Sequence, residues 1–122
     1  MKYEEKKLEV HSDERGWLVE MLKGLDIKQI LVVAVNPGKT RGGHYHLEKT
    51  DWLFVLGQGE ILLEDIETKE KMTIKTDEPK LVTIYPKTYH LIKNMSDKVI
   101  YFVEAKDSIY DPKNTDTHIY NG

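Results

Sequence analysis

Four side chains in this sequence have the types and spacing to hold an ion or move a proton: His44, His46, Asp51 and His90. Residues two apart on a strand point to the same face, so His44 and His46 project side by side at roughly 6–7 Å. Asp51 opens the next apolar run and adds a carboxylate. His90 comes much later, after a turn at Pro86, and joins the others only if the sheet closes. Three neutral imidazoles and a carboxylate suit a divalent first-row metal such as zinc, iron, manganese or nickel. The chain has no cysteine, which rules out thiolate ligation and disulfides. A His-x-His pair also occurs on merely solvated strands. Here a Gly-containing loop, a following carboxylate and a Pro-x-x-x-His turn raise it above that background. His11 and His118, in polar surroundings near the ends, read as surface residues.

The elements that must position these groups read as strands. Apolar runs are short, rich in β-branched residues and separated by turn chemistry. Asp13-Glu14-Arg15-Gly16 turns into Trp17–Leu22, with a two-turn helix over 17–25 as the weaker alternative. The strongest strand is Ile27–Val35, stopped by Asn36-Pro37-Gly38. A loop over 38–43 leads into a short strand carrying His44 and His46. Further strands are expected at Asp51–Leu56, Glu60–Ile66, Lys71–Thr76, Leu81–Tyr85, Tyr89–Asn94 and Val99–Ala105. The polar tail from about residue 106, with Pro112, reads as a surface loop. So many short strands predict an all-β sandwich or small barrel formed as a single domain over residues 1–122.

In 51–56, Leu53 and Val55 point one way while Trp52, Phe54 and Leu56 point the other, and 27–35 behaves similarly. A strand apolar on both faces needs cover outside, from a second sheet or a second subunit, which predicts a homodimer. By the same alternation Tyr45 and Trp52 face away from the histidines.

Composition bounds the function. With 18 basic against 21 acidic residues the net charge is −3, and no basic face is available to neutralise nucleic-acid phosphates. No apolar stretch reaches membrane-span length, and the charged start lacks a secretory signal. The expectation is a cytoplasmic protein without nucleic-acid or membrane partners.

Two segments resemble the motifs of the cupin superfamily. Gly38 followed after five residues by His44-Tyr45-His46, then Asp51 and the run to Gly59, is similar to the first cupin motif. Pro86, His90 and Asn94 are similar to the second. Asp51 departs from the glutamate usual there, and its shorter arm leaves the metal more open or moves the carboxylate behind the ligands. The fold implied is a single cupin, a double-stranded β-helix or jelly-roll-like barrel.

Finer features resemble nucleotide-sugar enzymes. Asp13-Glu14-Arg15-Gly16-Trp17-Leu18 and Arg41-Gly42-Gly43-His44-Tyr45 are similar to segments of the dTDP-4-keto-6-deoxyhexose 3,5-epimerases. In that family the histidine is the catalytic base, the arginine helps bind substrate, and glutamine usually stands where this chain has His46. A closer resemblance is to the C-terminal cupin of bifunctional UDP-sugar epimerase/reductases of capsular polysaccharide synthesis. It extends over the His-x-His-to-acid spacing, the turn Pro86-Lys87-Thr88-Tyr89-His90, and the tail Ile109-Tyr110-Asp111-Pro112-Lys113-Asn114-Thr115-Asp116-Thr117. That domain binds zinc and epimerises C3; no reductase domain is recognisable in this chain.

The resemblance implies an isomerase acting next to the ketone of a nucleotide-linked 4-keto-6-deoxyhexose in cell-surface polysaccharide synthesis. His44 is then the base if free of metal; if it is a ligand, the ion polarises the ketone and another group moves the proton. Tyr110 is the candidate acid, Arg41 and Lys39 are candidates for a diphosphate, and Asn94 either binds ligand or ties a strand end. Two other classes use the same residues. One is a metal-dependent cupin oxygenase or isomerase acting on another small molecule; the other is a non-catalytic sugar- or metal-binding module.

Overall fold

The computed structural model describes residues 2–120. Strands β1 (Tyr3–Lys7), β4 (Gln29–Val35), β6 (Asp51–Leu56), β9 (Lys80–Ile84) and β11 (Ile100–Lys106) form one antiparallel sheet, in the order β1-β9-β6-β11-β4. Strands β5 (Thr40–Tyr45), β7 (Gly59–Asp65), β8 (Lys71–Lys75), β10 (Thr88–Asn94) and β12 (His118–Ile119) form the second, in the order β12-β5-β10-β7-β8. A small hairpin, β2 (His11–Asp13) with β3 (Gly16–Leu18), stands apart. This is the expected all-β cupin.

Strict alternation builds the interior. In β7, Ile61 and Leu63 point inward with Gly59 and Asp65, while Glu60, Leu62 and Glu64 point out. Val35, Leu53, Val55, Ile61, Leu63, Ile74, Val82, Ile84, Ile92, Ile100 and Phe102 fill the space between the sheets as one cluster. Each such side chain contributes about 1.5–3 kcal/mol on burial. The polar groups described below stand at the end of this space, where apolar side chains give out.

Four features differ from the sequence expectation. Residues 40–43, expected as loop, are the first part of β5, and His46 lies just past its end. Trp17–Leu22 is strand only to Leu18; beyond it Val19, Met21 and Leu22 pack on Leu8, Phe54 and Leu81. The chain's own segment, and not a second sheet, therefore covers the outer face of β6. The charged stretch Tyr3–Lys7 forms a strand on β9, because an edge strand needs backbone partners more than apolar side chains. The tail includes β12, which adds to β5.

Candidate functional site

His44 and His90 face each other across β5 and β10, and the register shifts immediately beyond them, from His90↔His44 to Leu91↔Gly42. Gly42 and Gly43, at φ 94° and 84°, make this β-bulge. A Cβ on Gly42 would stand 2.9 Å from the His90 carbonyl oxygen. The glycine pair thus re-aims the last residues of β5, and His46 follows just past the strand end. The His44 ring lies 5.1 Å from His46 and 4.7 Å from His90, centroid to centroid, and His46 lies 5.3 Å from His90.

The opposite sheet supplies the charges. Asp51 begins β6, and Glu104 and Lys106 end β11 on the face that carries Ile100 and Phe102. Asp51 Oδ2 lies 3.1 Å from His46 Nε2 and 3.6 Å from His90 Nε2, and Lys106 Nζ lies 2.9 Å from Asp51 Oδ1. Glu104 lies 3.7 Å from Lys106, and its carboxylate forms a second possible ligand group with Asp51 and His90. The two charged residues that continue a buried alternation are the signal that sequence reading passed over.

Hydrogen bonding sets the direction of the imidazoles. His46 Nδ1 is 2.6 Å from the Asp116 carbonyl and His90 Nδ1 is 3.3 Å from that of Thr88. A carbonyl only accepts, so both Nδ1 atoms carry hydrogen and donate. Both Nε2 atoms then turn towards Asp51 Oδ2. These three atoms are buried, and despite their proximity none is aligned for a hydrogen bond. Buried polar atoms without partners are rare. Three acceptor-rich atoms converging in this way, with His44 alongside, fit a divalent cation.

Electrostatics follow from burial. His90 is pushed down to about 4, chiefly by burial and against the pull of Asp51. His44 is also lowered, by burial and by its neighbour His46. Burial acts the same way on His46, but Asp51 and the Asp116 carbonyl outweigh it and raise it. Asp51 is held well below the usual carboxylate range, because His46, Lys106 and His90 overcome its burial. Glu104 is raised to about 6 by burial and by Asp51, with Lys106 opposing.

The remaining candidates lie apart from this cluster. Arg41 and Lys39 are exposed on and before β5, and among the described residues neither side chain is paired. Asn94 is buried at the far end of β10, where its amide donates to the Val35 and Lys98 carbonyls and accepts from Ser96. That amide ties three segments together, which is the strand-end role. Tyr110 is exposed, with its backbone N–H donating to Gln29 Oε1 and the Lys49 ammonium 5.9 Å from its ring centre. Among the described residues it makes no hydrogen bond or ring contact with the histidines. His11 is exposed as expected, whereas His118 stacks on Tyr45 and bonds Asp116. A cleft of about 550 Å³ between β1 and residues 20–25 holds none of the four.

Comparison with known proteins places this geometry in context. A family model described as the polysaccharide biosynthesis C-terminal domain matches residues 11–118. The UDP-2-acetamido-2,6-beta-L-arabino-hexul-4-ose reductase of Pseudomonas aeruginosa is 36% identical over 113 residues, covering 89% of this chain and 30% of that protein. The capsular polysaccharide assembling protein CapF of Staphylococcus aureus superposes with a TM-score of 0.74 at 27% identity, over 94% of this chain and 34% of its own. A dTDP sugar isomerase of Desulfovibrio desulfuricans superposes with a TM-score of 0.88 at 16% identity, over 98% of this chain and 83% of its own, a likeness of fold. The chain thus spans about a third of the first two proteins.

Proposed function

The chain belongs to the polysaccharide biosynthesis C-terminal domain family, and on that premise we propose that it moves a proton next to the ketone of a nucleotide-linked 4-keto-6-deoxyhexose. It is an epimerase or ketoisomerase serving cell-surface polysaccharide synthesis. The observation that carries this reading is His44, a half-buried imidazole packed beside two buried ones and therefore the most exposed imidazole base of the cluster. The Pseudomonas relative, a reductase of a UDP-linked hexul-4-ose, supports a 4-keto sugar carried on a nucleotide.

The chemistry is simple to balance. The ketone at C4 acidifies the protons on C3 and C5. His44, kept neutral by burial, takes one of them; the C–H electron pair moves into the ring bond and the ketone oxygen becomes an enolate. Return of a proton to the opposite face of the same carbon inverts it. For the ketoisomer, removal of the C3 proton gives an enediolate, the hydroxyl proton passes from O3 to O4, and the abstracted proton returns to C4, leaving the ketone at C3. Tyr110, on the tail, is the proposed acid, which requires substrate to draw its ring over the cluster. Arg41 and Lys39 are exposed cations ahead of His44 and are proposed to meet the diphosphate.

His46, Asp51 and His90 would hold a divalent metal while His44 stays free of it as the base; zinc matches this nitrogen and oxygen set. A bound ion supplies Lewis-acid stabilisation of the enolate oxygen. Lys106 already balances Asp51, so the carboxylate is compensated with or without an ion. We therefore read proton transfer as the work of His44, with metal optional.

We also propose a cytoplasmic homodimer. Ile30 and Val32 stand 62% and 74% exposed on β4, at a sheet edge and beside exposed Tyr101, and a second copy would cover them.

The test is His44→Asn. It removes the base and leaves the sheet intact, so deuterium exchange into the sugar should fall by about a hundredfold or more. Full exchange in that variant would sink His44 as the base.

A further inference from the structure

The acidic tail does more than cross the surface. Asp116 Oδ1 accepts the backbone N–H of Leu47 at 2.9 Å, and Oδ2 accepts those of Glu48 and Lys49 at 2.8 and 3.2 Å. The Thr115 carbonyl accepts from Lys49 Nζ at 2.9 Å. Residues 46–49 are the connection between His44 and His46 on one sheet and Asp51 on the other. One carboxylate, some seventy residues away in sequence, therefore hangs that whole connection from three backbone donors. The same residue's carbonyl takes the Nδ1–H of His46. Asp116 adopts φ 48°, a left-handed conformation that Asp and Asn tolerate better than other residues with a Cβ. This turn aims carbonyl and carboxylate at the same loop. His118 Nε2, 3.1 Å from Asp116 Oδ1, and the stack of His118 on Tyr45 then fix the tail beyond it.

We propose that Asp116 is the positioning residue for His46. Its carbonyl selects the tautomer with hydrogen on Nδ1, and its carboxylate holds the 46–49 loop, so that Nε2 points at Asp51 and the centre. The proposal rests on the reading of His46 as a site residue, since the direction of Nε2 matters only there. It also gives the tail segment Thr115-Asp116-Thr117 a task that its polar composition alone does not suggest. Partners that orient a metal-binding histidine typically matter by ten- to a hundredfold in affinity.

The experiment compares Asp116→Gly and Asp116→Asn with the wild type. Glycine keeps the left-handed backbone and removes the carboxylate, whereas asparagine keeps one acceptor and tolerates the conformation. Two quantities are read: the His46 tautomer, from long-range ¹H–¹⁵N couplings of the ring, and Co²⁺ affinity, from the visible spectrum of the titrated protein. Asp116→Gly keeps the carbonyl but frees the 46–49 loop from the carboxylate. The His46 ring should then drift off that carbonyl, populate both tautomers and bind Co²⁺ about ten- to a hundredfold more weakly, with Asp116→Asn between it and the wild type. A single unchanged tautomer in Asp116→Gly overturns the proposal. If Asp116→Gly fails to fold, the same tautomer measurement on Asp116→Asn decides, since a merely structural cap would leave the ring unmoved. Absence of Co²⁺ binding in the wild type would instead count against the metal reading, and the tautomer would still decide the role of Asp116.

Discussion

Lys106 and Asp51 stand opposite each other on β11 and β6, with the ammonium 2.9 Å from one carboxylate oxygen while the other oxygen faces His46 and His90. Asp51 is fully buried and Lys106 nearly so, so the pair resides where charge is poorly solvated. Removing one partner of such a pair leaves the other uncompensated. Lys106→Met should destabilise the chelated protein by about 3 kcal/mol, read from urea unfolding. The same variant should bind divalent metal more tightly, because a competing cation has left Asp51. Weaker metal binding in Lys106→Met would mean that the lysine helps to build the centre and does not compete for it.

His90 gives a pH dependence with a definite sign. Its folded pKa of about 4 lies below the ordinary 6.5, so the folded protein binds fewer protons than the unfolded chain between those values. Stability of the chelated protein should rise with pH across that window, by about 3 kcal/mol in all from this group. Glu104, raised from 4.5 to about 6, acts in the opposite sense over its own window. His90→Gln should flatten the rise and Glu104→Gln should steepen it, in thermal melts at pH 4.5, 5.5 and 6.5. An identical profile in His90→Gln would contradict the assignment.

The bulge at Gly42 has a steric requirement. An alanine Cβ would meet the His90 carbonyl oxygen at 2.9 Å, and φ 94° is strained for any residue with a side chain. Gly42→Ala should cost about 1–3 kcal/mol and displace His44 relative to His90. Gly38→Ala is the control: it shares a positive φ, yet no neighbour lies within 4 Å. Loss of proton exchange in Gly42→Ala but not in Gly38→Ala is the expected pattern.

Much of this was legible in the sequence, for identifiable reasons. The all-β class follows from short alternating runs, and His44 with His46 follows from strand periodicity. Asp51 and His90 needed sheet closure, which the motif spacing implied. What escaped was long-range. Tyr3–Lys7 is a strand because β9 needs a partner, a fact that its charged composition hides. Trp17–Leu22 is too apolar to read as coil, yet beyond Leu18 it leaves the sheet, and Val19, Met21 and Leu22 pack over Phe54. Asp116 and the Glu104/Lys106 pair act across 50 residues or more, where no local pattern speaks.

The exposed stripe on β4 bears on assembly. A single charge at its most exposed point, Val32→Glu, should shift a homodimer to monomer in light scattering while leaving the unfolding midpoint of the monomer nearly unchanged. A wild-type protein already monomeric at high micromolar concentration would remove the dimer from the account.

The measurement closest to the central claim is wash-in of deuterium from heavy water, followed by proton NMR, on UDP- and dTDP-linked 4-keto-6-deoxyhexoses with and without chelator. The account predicts loss of the C3 or C5 proton signal with both protein preparations, and no such loss with His44→Asn. Sugars that keep both protons under every condition would contradict it.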